Sequence, residues 1–437
     1  MKVLLVGSGG REHAMAMAIA RSVEEPKLYA AMKYKNPGIA QLCDDYLLVN
    51  ETDQEKVADY ARRADLVVIG PEAPLAEGIV DVLDDRGVRA FGPTRKAALI
   101  ESDKGWARSF MSENGIKGCP KYALFDDLSA ADRFIKDNID EEELVIKPVG
   151  LTGGKGVVVV DSYSEGKNYL KTLRGPVVIE ECLSGEEFTV QAFVDGNVLA
   201  PAPAVQDHKR AFEGDLGPNT GGMGSYTDKS YVLPFMNEGD YRAAVTIMQD
   251  TVNAMNREGI TFKGILYGQF MLTQTGPMVV EFNCRFGDPE AMNILPLLRS
   301  DFIELAESAI DGTLKQADYE LRATVCKYVV PAGYPTNPKP TEITIDTDCI
   351  DAALFFASVD DRDGTIMTTT SRALAVLGVA DTIENAEQRA EQALQFIKGD
   401  VFARHDIGKK ELVQSRVEHM KRIRDAWLRT APRKHPQ

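Results

Sequence analysis

The first hundred residues alternate between two hydrophobic periods, and few folds accept that pattern. "KVLLV" (2–6), "LVVIG" (66–70) and "VRAFG" (88–92) are short apolar runs that end at or near a glycine. Between them, "REHAMAMAIARS" (11–22) and "QEKVADYARRA" (54–64) carry helical spacing. Strands that alternate with helices in this way imply a parallel sheet covered by helices.

The chain has 437 residues, too many for one hydrophobic core, so three or so domains are expected. After a helical segment (101–116), residues 120–190 hold "ELVIKPVG" and "GVVVVDS" around a glycine-rich centre and read as a small, mostly antiparallel α+β unit. Strands such as "GILYGQFML" and "PMVVEFNCRF" mix with helices up to about 325. A Pro-rich joint, "VVPAGYPTNPKPTE", then leads into a last α+β unit. The basic tail "RIRDAWLRTAPRKHPQ" reads as frayed and receives no function.

A formal net charge of -16 argues against a general binder of nucleic acid or anionic membranes. An acidic chain that handles phosphates must build positive sites locally, from loop amides, a few Lys or Arg and metal ions. The cysteines (Cys43, Cys119, Cys182, Cys284, Cys326, Cys349) are scattered with no Cys-x-x-Cys pair, which suggests reduced thiols and a cytoplasmic setting. The N-terminal apolar run is too short for a signal peptide, and no apolar stretch is long enough to span a bilayer.

In "VVEFNCRFGDPE" (279–290), Glu281, Asn283 and Arg285 alternate with Phe282, Cys284 and Phe286, so an extended chain puts the polar three on one face. A half-exposed strand would look the same. So would a hard-cation site, since Glu and Asn supply oxygen ligands, with an arginine beside it to grip an anion.

The glycine loops are atypical. "VGSGGREHA" (6–14) follows a strand and opens a helix, as a dinucleotide loop does, but Glu12 occupies the sixth place of G-x-G-x-x-G, which disfavours a nicotinamide oxidoreductase. A phosphate site at the helix start and a tight turn with no ligand both remain open. "VIKPVGLTGGKGVVVV" (145–160) is not a Walker A loop, because Gly156 follows Lys155 and a strand follows both. It reads as a glycine flap able to close over a triphosphate, with Lys147 and Lys155 on either side. In "VVIEECL" (177–183), Glu180 and Glu181 are either solvated or placed to meet an adenine, with Glu187 suited to a ribose hydroxyl. "QDHKRAFEGDLGPNTGGMGSY" (206–226) carries four consecutive ionisable groups before a long polar loop, with Met223 and Tyr226 as anchors. Polar loops of that length are uncommon unless functional.

Together these pieces resemble the ATP-grasp superfamily and, within it, the glycinamide ribonucleotide synthetase (phosphoribosylamine–glycine ligase) family. "GSGGREHA", "GPEAPL" (70–75), "FGPT" (91–94), "GGKGV" (153–157), "EECLSGEE" (180–187), "QDHKR", "GPNTGGMG" (217–224) and "EFNCRFGDPE" (281–290) carry the resemblance, in the family's order. The C-terminal "PAGYP" and "RHDIG" match more weakly. The resemblance implies an α/β and α+β multidomain fold. A Rossmann-like N-terminal domain spans 1–102. A two-lobed ATP-grasp core places one lobe at 103–119 and 191–325 and a small lobe with the flap at 120–190. A C-terminal cap spans 326–420 and a tail 421–437.

It also implies an ADP-forming carboxylate–amine ligase. Glycine's carboxylate attacks ATP, and the glycyl phosphate is attacked by the amine of 5-phosphoribosylamine. The partners are then these small molecules, with neither nucleic acid nor membrane involved and a monomer favoured. The family's site residues fall on Glu281, Asn283 and Gln269 for Mg²⁺ or Mn²⁺, and on Arg285, Lys155 and Asp207 for catalysis. ATP falls to Lys104, Lys147, Gly153, Gly154, Lys155, Gly156, Glu180, Glu181, Leu183 and Glu187. The second substrate falls to the amides of Gly9, Gly10 and Arg11, and to Glu72, Asp207, Lys209, Arg210, Asn219 and Arg285. A ligase of the same superfamily with another acid or amine would keep the ATP machinery and change the substrates. Two segments depart from the family pattern. "KPVGLTGG" lacks an Ala-Asp-Gly-Leu stretch after its lysine, and "TTTSRALAV" (368–376) stands where the family carries Gly-Gly-Arg, so no ligand contact is assigned there.

Overall fold

The expected N-terminal alternation folds into a five-stranded, all-parallel sheet. Its order is Asp45–Leu48, Lys27–Met32, Lys2–Val6, Leu66–Ile69, Ala90–Phe91. The strand Leu66–Ile69 is buried throughout, which is why it reads as an unbroken apolar run. The sheet order reverses at Lys2–Val6. Ligands of open α/β sheets bind outside the strand ends at such a switch, so the loops after Val6 and Ile69 share the place where a ligand is expected. The coordinates are a computed structural model that describes residues 1–139, 143–151 and 156–430.

The segment read as a small antiparallel unit forms the sheet Tyr122–Phe125, Val177–Glu181, Leu144–Pro148, Val158–Val160. It has its own hydrophobic cluster, in which Ala131 and Ile135 of one helix pack with Ile146 and Ile179 of the sheet. A second antiparallel sheet runs Leu199–Pro201, Glu186–Asp195, Lys263–Thr273, Gly276–Asn283 and belongs to the main core.

The third large sheet joins distant parts of the chain. Gln206–Asp207 and Gly224–Thr227 pair on to Ala323–Pro331, which continues through Leu374–Ala380 to Ala353–Phe356 and also takes Val401–Ala403. One sheet therefore spans both sides of position 326. Gly224 permits the close approach, because a Cβ on it would lie 2.2 Å from the Cys326 carbonyl oxygen at φ +155°.

Two expectations need correction. The 206–226 segment is not a structureless loop. Arg210–Phe212 pairs with Leu216–Asn219 as a hairpin, and both ends of the segment are strands, with Met223 and Tyr226 fully buried. Short strands separated by Gly, Pro and Asn leave no readable period. The first part of the expected frayed tail is ordered as well, since residues up to 430 complete the helix Lys410–Thr430. Its basic side chains find acidic partners distant in sequence, such as Arg424 with Asp240. Among the described residues no helix is long and apolar enough to cross a membrane.

Candidate active site

Gly276–Asn283 lies antiparallel to Lys263–Thr273, with Glu281 opposite Gln269 and Asn283 opposite Tyr267. Phe282 and Cys284 are buried on the far face, as the alternation requires. The polar row stays together: Asn283 Nδ2 donates to Glu281 Oε1 at 3.5 Å, and Arg285 Nη2 donates to Asn283 Oδ1 at 3.3 Å. Burial opposes the charge on Glu281, but Lys209, Lys147, Lys104 and Arg285 outweigh it and hold the carboxyl below its ordinary range.

Arg285 is gripped from the N-terminal part of the chain, by residues of the helices Glu72–Glu77 and Leu99–Ser102. Its Nε donates to Glu72 Oε2 at 3.2 Å, and Nη2 lies 3.0 Å from Glu101 Oε1, while Glu101 Oε2 accepts from the Cys284 amide at 2.7 Å. Arg11 Nη1 donates to the Phe286 carbonyl at 3.1 Å and stands 3.7 Å from Glu72. Burial pushes the Glu72 carboxyl up, yet Arg285 and Arg11 prevail and hold it at about 2. The loop after Val6 is shaped around Glu12, which accepts from the Gly9 amide (2.7 Å) and from Arg11 Nε (2.6 Å). A Cβ on Gly7 or on Gly70 would lie 2.3 Å from Glu12 side-chain atoms, so these glycines make room for it. The residue that spoils the dinucleotide pattern is the one that fills the turn. Since Glu12 takes the Gly9 amide, Gly10 and Arg11 carry the remaining amides of the predicted anion site at the helix start.

On the neighbouring strand Gln269 Nε2 donates to Glu187 Oε2 at 2.6 Å, and Lys209 Nζ stands 3.5 Å from the same oxygen. Asp207 lies on this side. Burial, with Glu290 and Glu187 near by, raises its carboxyl well above the ordinary range against Lys209 and Arg372. Lys104 Nζ donates to the Gly150 carbonyl at the mouth of the flap (2.8 Å). The flap residues Gly153, Gly154 and Lys155 lie outside the described residues; Gly156, beyond them, has φ +87°. Leu183 is half-buried in the turn after Val177–Glu181, and Glu181 Oε1 accepts from the Lys121 amide at 2.7 Å.

Three of the expected ligand residues have partners within the protein. Glu180 is the centre of a buried ion triad: Arg108 Nε and Nη2 donate to its two oxygens (2.7 and 3.1 Å), and Lys147 Nζ donates to Oε2 (2.7 Å). Lys147 is thereby engaged as well. Arg210 is exposed and donates to the Gly217 carbonyl across its own hairpin (2.8 Å), opposite an exposed Asn219.

Sequence reasoning passed over several residues of this site. Arg108 and Glu101 act through partners far along the chain and left no signal. Asp288 and Glu290 stood inside a quoted motif without a role. Tyr267 donates to Glu290 (2.8 Å) and Tyr328 to Asp288 (2.6 Å). Arg372, left unassigned in the cap, donates to the carbonyls of Gly221 (2.7 Å), Gly222 (3.0 Å) and Asp288 (2.8 Å), and stacks over Tyr328 at 4.5 Å. It staples the glycine-rich loop to the cap. Among the described residues no three His, Cys, Asp or Glu side chains converge as a metal site.

The N, ATP-grasp (A) and C domains of phosphoribosylglycinamide synthetase match residues 1–101, 102–291 and 324–410 as family models. The chain belongs to the phosphoribosylglycinamide synthetase family. It is similar to the phosphoribosylamine–glycine ligases of Methanocella arvoryzae (52% identical over 436 residues) and Methanosarcina barkeri (53% over 436 residues). Each match covers 97% of this chain and 100% of the relative. Among solved structures, the phosphoribosylamine–glycine ligase of Thermotoga maritima superposes with a TM-score of 0.80 at 28% identity, over 93% of this chain and 100% of the other. The N5-carboxyaminoimidazole ribonucleotide synthetase of the same organism shares the fold (TM-score 0.65, 17% identity, 91% of this chain and 99% of the other). The multidomain ATP-grasp fold expected from the sequence is the fold of this synthetase family.

Proposed function

We infer that the chain is an ADP-forming carboxylate–amine ligase that joins glycine to 5-phosphoribosylamine, giving glycinamide ribonucleotide, ADP and phosphate in purine biosynthesis. The single observation that carries the chemistry is the contiguous row Glu281, Asn283, Arg285, set against Gln269 and surrounded by Lys104, Lys147 and Lys209.

A glycine carboxylate oxygen attacks the γ-phosphorus of ATP as the bond to the β-phosphate oxygen breaks, releasing ADP. The amine nitrogen of phosphoribosylamine then attacks the acyl carbon of glycyl phosphate, and the carbon–oxygen bond to phosphate breaks. No covalent enzyme nucleophile is needed, so the protein's task is positioning and charge neutralisation. Arg285, fixed by Glu72 and Glu101, faces the transferred phosphoryl group. Asp207, whose carboxyl binds protons more tightly than an ordinary Asp, accepts the proton that the attacking amine sheds. Lys104 meets the nucleotide phosphates, a role also expected of Lys155, and Glu187 meets the ribose. The loop at Gly10 and Arg11, at the sheet's switch point, takes the 5-phosphate of the amine substrate.

Glu281, Asn283 and Gln269 offer a carboxylate and two carboxamides, a hard oxygen set that suits Mg²⁺ or Mn²⁺. Gln269 gives its amide nitrogen to Glu187, so its oxygen is the atom offered to a cation. When bound, the ion neutralises phosphate charge. A cytoplasmic setting belongs to this reading, in keeping with the free cysteines.

The test is ADP release from ATP and glycine with and without phosphoribosylamine, against a panel of other amino acids, with the product identified by mass. Turnover that requires both substrates supports the reading. Preference for another amino acid would replace it with a sister ligase.

A further inference from the structure

Glu186 and Glu187 are consecutive at the start of Glu186–Asp195, so their side chains leave the strand on opposite faces. Glu187 faces the site, through Gln269 and Lys209. Glu186 faces away and is 5% exposed, and a carboxylate buried to that extent needs partners. The C-terminal helix Lys410–Thr430 supplies them: His419 Nδ1 lies 2.5 Å from Glu186 Oε1, and Arg416 Nε lies 3.5 Å from Oε2.

The same contact reaches two further parts of the substrate wall. Gln206, the neighbour of Asp207, donates to Glu186 Oε2 (3.4 Å) and to the Glu187 carbonyl (3.0 Å), and its own oxygen accepts from Tyr226 (2.7 Å). Arg416 also pairs with Asp215, in the turn of the 210–219 hairpin, where Arg404 joins at 2.9 Å. One helix thus touches the back of the strand bearing Glu187 and the tip of the hairpin, and reaches the strand bearing Asp207 through Glu186 and Gln206. The C-domain match ends at residue 410, so all of the helix beyond its first residue lies outside it.

We propose that Arg416 and His419 are positioning residues for the ligation, acting through Glu186 and Asp215 to fix the backbone that presents Glu187, Asp207 and the 210–219 hairpin to the nucleotide and the phosphoribosyl amine. This rests on the reading of the site given above. A control exists on the same helix: Arg424 pairs with Asp240 at 2.7 Å and anchors the helix to Glu238–Arg257 without contacting Glu186 or Asp215.

The experiment compares full-length wild type, Arg416→Ala, His419→Ala, His419→Gln and Arg424→Ala. It measures kcat, the KM of each substrate and the melting temperature. Arg416→Ala and His419→Ala are expected to raise KM for ATP and phosphoribosylamine and to lower kcat/KM by about tenfold or more, the scale of a small misplacement of reacting groups. His419→Gln keeps a side-chain donor and is expected to recover most of the loss. Arg424→Ala is expected to lower the melting temperature with KM unchanged. Should Arg416→Ala fail to fold, Arg416→Lys replaces it, since lysine keeps the charge but lacks the fork that holds two carboxylates. Wild-type KM values in the Arg416 and His419 variants, or losses that merely follow melting temperature as in Arg424→Ala, would overturn the proposal. Wild type assayed alongside separates the two levels: failure to turn over glycine and phosphoribosylamine refutes the reaction, whereas normal wild-type turnover with unaltered variants refutes only the positioning.

Discussion

Arg108 meets Glu180 as a fork on a carboxylate, at 2.7 and 3.1 Å, with both side chains about 95% buried. The guanidinium then reaches past the small sheet to the Val279 and Val280 carbonyls, at 3.1 and 2.7 Å, just before the row that carries the chemistry. This pair ties the small lobe to the strand Gly276–Asn283. It also takes up a carboxylate that the sequence had offered to adenine.

Glu180→Gln is therefore expected to act on stability before nucleotide affinity. It leaves Arg108 and Lys147 buried without their counter-charge, a loss of about 3–5 kcal/mol. Chemical denaturation should show that drop. A variant as stable as wild type but with a raised KM for ATP would favour a nucleotide contact instead.

Acid should weaken the same contacts. Burial disfavours the charged forms of Glu180 and Glu72, but Arg108 with Lys147, and Arg285 with Arg11, hold each carboxyl at about 2 rather than 4.5. The folded pKa is depressed, so the stabilisation is present above the ordinary Glu range and is lost as pH falls from about 4.5 towards 2, roughly 3 kcal/mol for each group. Melting temperatures measured across that window should fall in wild type and by about half as much in Glu180→Gln, where only the Glu72 contribution remains.

Arg285→Ala is expected to leave ATP affinity largely intact and to lower kcat by about 10²–10³, the cost of removing a group aimed at developing charge. It also leaves Glu101 and Glu72 without their shared cation, so the melting temperature should fall. Arg285→Lys restores part of that stability but less of the turnover, because an ammonium lacks the planar fork. An unchanged kcat in Arg285→Ala would exclude the phosphoryl role.

Arg372→Ala removes the three carbonyl contacts that hold the glycine-rich loop to Asp288 and the cap. KM for phosphoribosylamine should rise by about tenfold with KM for ATP unaltered, since a loosened binding loop weakens one substrate at a time. Equal rises for both substrates would point to a general loss of structure.

Asp207 gives a pH signature. Burial raises its carboxyl, so it takes up a proton at a higher pH than an ordinary Asp. If the ionised form accepts the amine proton, kcat falls as pH drops through that raised value. Asp207→Asn should lower the rate and flatten this acidic limb. A limb that survives the substitution belongs to another group.

How much of this was legible in the sequence varies with the range of the interaction. The parallel sheet was readable because "KVLLV" and "LVVIG" report burial on both faces locally, and the polar row was readable because Glu281, Asn283 and Arg285 follow a period of two. Glu101, Arg108 and Arg372 were not, since their partners lie 183, 72 and 84 or more positions away and no local pattern announces a buried ion pair. The partners of Glu180 were hidden for the same reason: a carboxylate at a strand end looks the same whether it meets an adenine or an arginine. The helix over 421–430 was missed because its composition is basic and its acidic partners are remote.

The sheet that runs from Gln206–Asp207 to Ala353–Phe356 limits how such enzymes can exchange parts. Its central strand, Ala323–Pro331, begins at the edge of the C-domain match, yet it is flanked on one side by Gly224–Thr227 from within the ATP-grasp match. A hybrid that grafts residues 324–410 from a distant relative would have to knit a foreign strand on to the frame of the 206–226 segment. Recombination between lineages is therefore constrained to carry both stretches together, and the small lobe, though it has a hydrophobic nucleus of its own, could be exchanged only in the company of the arginine that its Glu180 requires.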